Sequence, residues 1–238
     1  MALNTDRRTL SRGQAEAATI DAGLRQYMLR VYNYMASGVA LTGLVAALVA
    51  SSPTLMQAIH GTALAWLVML APLGVVLVMS FGMEKMSLPA VQATFWVFAG
   101  LMGLSLSYIF AAYTPVSITR VFFITAATFA ALSLYGYTTK RDLTGLGSFL
   151  FMGLVGIIIA MVVNIFLQSS LLHFVISGIG VLVFAGLTAY DTQKIKEMYA
   201  ESDGSAVAGK KAVFGALQLY LDFINLFIML MQFLGEQR

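Results

Sequence analysis

The sequence predicts an all-α integral membrane protein with seven transmembrane helices. Three observations carry this. Hydrophobic residues make up 59% of the 238 and charged residues only 11%, whereas a soluble domain is about half apolar and about a quarter charged. The mean hydropathy is +0.84. Seven apolar runs, at residues 27–50, 63–81, 90–112, 116–137, 146–167, 171–190 and 212–234, are each long enough as a helix to cross ~30 Å of hydrocarbon. Runs of this length satisfy their backbone groups in lipid only as helices.

Residues 1–26 are polar and basic and carry no apolar core of a signal peptide, so they read as a cytoplasmic tail, part of it a surface helix. The seven-helix domain then occupies 27–238. Pro53 follows the first run, while Pro89 and Pro115 open the third and fourth, where proline forfeits no helical hydrogen bond. Pro72 lies inside the second run and predicts a kink. The pairs Gly38 and Gly43, Gly100 and Gly103, Gly153 and Gly156, and Gly178 and Gly180 offer places where helices approach closely. Between the sixth and seventh runs lies the longest connection, 192–211. Its first residues prolong the sixth helix, and Glu201-Ser202-Asp203-Gly204-Ser205 reads as a turn.

Twelve of the fourteen Lys and Arg residues fall on one side of this plan. They are Arg7, Arg8, Arg12, Arg25, Arg30, Lys85, Lys140, Arg141, Lys194, Lys196, Lys210 and Lys211; Arg120 and Arg238 fall on the other. The positive-inside rule therefore places the N-terminus in the cytoplasm. It does not decide whether the seventh run fully crosses. The basic residues lie in loops and tail, so the net charge of +3 does not imply nucleic acid. With no cysteine, disulfides and thiolate chemistry are excluded. His60 and His173 are far apart, at run ends, and read as interfacial rather than as metal ligands.

Eleven acids remain to be placed. Most lie in tail and loops, and Glu84 beside Lys85 and Asp142 beside Arg141 suggest local pairing, with Asp142 also placed to cap the next helix. Asp191 and Asp222 are the two shielded from water. On a helix Gln218, Asp222, Asn225 and Gln232 share one stripe in otherwise apolar surroundings. A bare carboxylate facing lipid costs several kcal/mol, so Asp222 should face protein or a water-filled path, with the six earlier helices as its wall. Asp191 and Asp222 meet if the sixth helix continues past Tyr190 or the seventh starts below the membrane surface. Two carboxylates in a dry site do not both ionise readily, and such a pair shares one proton. Deprotonated, it attracts a hard cation such as Ca2+. Asn225 and Gln218 could add neutral oxygens. Asn164 of the fifth run is a further candidate, although a helix–helix hydrogen bond is the plainer reading.

Three stretches resemble the Bax inhibitor motif family of membrane proteins, in its bacterial branch: Thr138-Thr139-Lys140-Arg141-Asp142-Leu143, Ala189-Tyr190-Asp191-Thr192-Gln193-Lys194-Ile195, and Leu219-Tyr220-Leu221-Asp222-Phe223-Ile224-Asn225-Leu226-Phe227. The resemblance runs from about residue 25 to the end. It implies six helices wrapped around a central seventh, and a pH-sensitive calcium leak governed by an aspartate pair that maps onto Asp191 and Asp222. Calcium would be the transported ion, with no resident cofactor. Bacterial relatives can carry an arginine-rich end on the second helix from which a basic residue latches onto the pair. This chain has Gly82-Met83-Glu84-Lys85 there, and Lys85 lacks the guanidinium fork. Two other functions compete. Some relatives are described as interaction proteins that modulate a membrane protease or stress responses, for which the tail and the 192–211 loop would be contact surfaces. An intramembrane aspartyl protease also uses two helical aspartates, but with Gly-x-Gly before the second. Here Leu219-Tyr220-Leu221 precedes Asp222, which argues against an enzyme.

Overall fold

A computed structural model describes the backbone of residues 12–238 and side chains from residue 22 onward. Arg7 and Arg8, and the side chain of Arg12, lie outside the described residues. Among those described, eight α-helices account for nearly all of the chain and no strand forms. They are α1 (Arg12–Ala50), α2 (Pro53–His60), α3 (Leu64–Gly82), α4 (Leu88–Ala112), α5 (Pro115–Thr138), α6 (Thr144–Leu167), α7 (Ser170–Glu197) and α8 (Ser205–Leu234). All but α2 are long and apolar enough to cross a membrane, seven in total.

The helix starts follow from local chemistry. Ser52, Ser87, Thr114 and Ser169 each accept a hydrogen bond from the backbone N–H three residues on, and Pro53, Pro89 and Pro115 follow the first three of these caps. Asp142 Oδ1 accepts from the Thr144 N–H at 2.8 Å at the start of α6. Hydrogen bonding from the Thr144 side chain, and then from its N–H, holds the exposed Asp142 carboxyl below the usual carboxylate range. Asp142 thus caps the helix, and the described ion pairs do not include one between Asp142 and Arg141 or between Glu84 and Lys85. α3 runs through Pro72 as one helix. Residues 12–26 do not form a separate surface helix: α1 is continuous through them.

The hub is α8, the most buried of the seven. It is apolar on nearly every face, as a helix surrounded by others must be. It packs closely against α1, α4, α5 and α7, while α3 lies outside on α4 and α6 outside on α7. The six earlier spans thus surround it in two ranks. Tyr220 is fully buried between the rings of Phe95 and Phe98, edge-on at centroid distances of 6.3 and 5.1 Å. Its hydroxyl donates to Thr42 Oγ1 at 2.6 Å, because the Thr42 proton is directed at the Ala99 carbonyl. One phenol so ties α8 to α1 and α4.

α8 runs the whole depth of the bundle. Near its start Lys210 Nζ reaches the carbonyls of Met83 and Glu84 in the α3–α4 turn. Past its end the chain docks on the α4–α5 turn: Thr114 N–H donates to Glu236 O, Arg238 N–H to Ala112 O, and Arg120 pairs with Glu236 at 2.9 Å. α8 is therefore long enough to span the bundle from the basic end to the α4–α5 turn, and long and apolar enough to cross a membrane. His60 bonds Ser107 Oγ at 2.8 Å, and His173 borders a separate small cavity near Gln232.

Candidate functional site

The Ala189–Ile195 stretch of α7 gives each residue its own neighbour. A side chain on Gly136 of α5 would collide with the Ala189 carbonyl. Thr192 accepts from Ser133, which in turn accepts from Tyr32, at 2.9 and 2.7 Å, so α7, α5 and α1 share one chain of hydroxyls. Gln193 accepts from Leu143 N–H and donates to Arg141 O, both at 2.8 Å, which clamps the α5–α6 loop onto α7. Ile195 packs on Gly215. With these residues fixed, Tyr190, Asp191 and Lys194 are turned to the opposite side.

There they border a cavity of about 840 Å3 between α6, α7 and α8. α8 contributes Gln218, Asp222 and Asn225 to it. Both extensions needed to bring the acids together are present: α7 continues to Glu197, and α8 begins at Ser205. The Asp191 and Asp222 carboxyl groups lie within hydrogen-bonding reach of one another. Asp222 is 5% exposed and Asp191 half-buried. Among the described residues no N–H or hydroxyl reaches Asp222 Oδ2. Two carboxyl groups this close bond each other only if one of them carries a hydrogen.

Neutral oxygens adjoin the pair. Gln218 Oε1 is buried without a partner. Asn225 spends its Nδ2 on the Leu221 carbonyl at 2.8 Å, which leaves its oxygen available. Lys194, three residues after Asp191 and hence on the same face, lines the cavity with its ammonium 5.7 Å from the Tyr190 ring centroid. Sequence reading took Lys194 for a loop charge, although its spacing from Asp191 was the available signal. The rim reaches the lipid-facing surface at the exposed Phe151, Met152 and Ile158 of α6.

Three sequence candidates lie elsewhere. Asn164 Oδ1 accepts the Ser169 N–H at 3.0 Å in the α6–α7 turn, so it closes a turn and does not line this cavity. Lys85 is exposed beyond the end of α3 and does not line the cavity. Gln232 accepts from Ser177 Oγ at 3.0 Å near the far end of α8. Among the described residues, His, Cys, Asp and Glu nowhere gather in threes that could hold a metal.

This fold and sequence define a Bax inhibitor family membrane protein. Residues 24–238 match the family described as Inhibitor of apoptosis-promoting Bax1, and the chain belongs to it. It is 51% identical over 220 residues to the protein RP147 of Rickettsia prowazekii, covering 92% of this chain and 93% of the relative. It is 45% identical to the inner membrane protein YbhL of Escherichia coli strain K12, covering 91% and 94%. A Caulobacter vibrioides protein is 44% identical, covering 92% of each.

Proposed function

We propose that the protein is a proton-gated cation leak, with calcium the leading candidate ion, in a bacterial inner membrane and with its N-terminus in the cytoplasm. The observation that carries this reading is the Asp191–Asp222 contact inside a cavity within the spanning region. With one proton the pair is closed on itself. Without it, two anions repel, and the cavity offers carboxylate oxygens together with Gln218 Oε1 and the Asn225 oxygen. A hard cation takes six to eight oxygens. This set is smaller and keeps an ammonium nearby, so it suits an ion in transit better than one in residence.

The test is calcium flux into liposomes containing the purified chain, followed across pH. Asp222→Asn keeps the side-chain shape and removes the shared proton, so flux should lose its pH dependence. An unchanged profile would overturn the proposal. The protease reading is weaker: Leu219 and Tyr220 are fully buried, and no small residue opens the Asp222 backbone to a substrate strand. A role in modulating other membrane proteins would be compatible with a leak.

A further inference from the structure

α1 and α5 both pack on α8 but make little direct contact with one another. Between their halves nearest the basic end lies a groove of about 530 Å3. Its walls are apolar, chiefly Met28, Leu29, Phe129, Ala130 and Leu134. The two hydroxyls set into these walls, Tyr32 and Ser133, are bonded to each other at 2.7 Å, and Ser133 donates in turn to Thr192. The groove therefore spends its polar groups internally and suits hydrocarbon better than water or an ion.

The mouth differs from the walls. Arg25 borders it, as does Tyr137. Lys196 holds its ammonium 5.5 Å from the Tyr137 ring centroid and donates to the Tyr137 carbonyl at 2.9 Å. Two of its three N–H groups remain for another partner. From Phe129 to Tyr137 the helix rises ~12 Å, close to the ~15 Å of one hydrocarbon leaflet. Basic pockets between transmembrane helices attract anionic lipid headgroups.

We infer that this groove binds one anionic phospholipid of the adjoining leaflet. An acyl chain lies along the α1–α5 seam, and the headgroup phosphate sits between Arg25 and Lys196. This does not depend on the leak.

The experiment is native mass spectrometry of the full chain released from detergent, titrated with phosphatidylglycerol or with phosphatidylethanolamine of the same chains. The parent should retain phosphatidylglycerol with about a thirtyfold preference, as two basic groups near a headgroup imply. Arg25→Gln with Lys196→Gln should bring the preference close to unity. Arg25→Gln alone, on an exposed side chain, should lower it about fivefold and covers the case in which the double variant misfolds. Ala130→Phe fills the slot without touching charge and should reduce retention of both lipids. Equal retention of the two lipids by the parent would overturn the inference. So would retention unaffected by Ala130→Phe, which would reveal attraction to basic surface only.

Discussion

Gln218 stands one turn before Asp222 with a buried carbonyl oxygen that meets no donor. An unpaired buried oxygen is costly, by about 1–3 kcal/mol, unless something arrives to use it. If that visitor is the conducted ion, Gln218→Leu should raise the calcium concentration needed for half-maximal flux several-fold. The pH profile should keep its shape, since an amide carries no titrating proton. Loss of the pH dependence instead would mean that the glutamine is part of the proton site. The helical period alone made the Gln218, Asp222 and Asn225 stripe readable. It could not show that Gln232, at the same angle, stands ~21 Å farther along the axis and serves a different neighbour. Nor could it show that the Asn164 amide closes a turn, because a local backbone bond leaves no mark on hydropathy.

At the level of the helices, the close approaches are fewer and differently placed than glycine spacing suggested. Gly38, Gly103, Gly153, Gly178 and Gly180 meet a neighbouring helix, whereas nothing lies within 4 Å of a side chain added at Gly43, Gly100 or Gly156. The tightest crossing is at Gly136, where α5 meets the α7 backbone itself. Gly136→Ala should therefore destabilise by about 1–3 kcal/mol, since backbone cannot step aside as a side chain can. Gly156→Ala should be neutral or slightly stabilising, as a freely placed helical alanine is. Thermal unfolding of the two variants in detergent compares them directly. The seven long helices were legible because lipid demands length and uniform apolarity. α2 was not, because eight residues are too few for a span, and its presence follows from Ser52, Pro53 and packing beneath Val49 and Val68. The extra turns on α7 and α8 were foreseen only as alternatives, because their charged residues read equally well as loop.

For the molecule as a whole, the charge distribution predicts an orientation that can be checked with few reagents. The chain has no cysteine, so a single introduced thiol is the only one. In intact bacterial cells with a permeabilised outer membrane, Glu236→Cys should react with a membrane-impermeant maleimide, and Lys140→Cys should react only after lysis. The reverse pattern would invert the topology and place the basic ends outside. A ring of helices around the last one was implied by resemblance and by the acid needing a wall. Which helices form the inner rank was not readable, because each is apolar on several faces and hydropathy does not name a partner. That arrangement bears on biogenesis. Chains emerge at about 5–20 residues per second, N-terminal parts first. The axle of this wheel is thus delivered after all its spokes. Until Tyr220 arrives, the slot beside Phe95 and Phe98 stands open and Thr42 lacks its donor. Until α8 arrives, α1, α4, α5 and α7 lack the one helix on which all four pack.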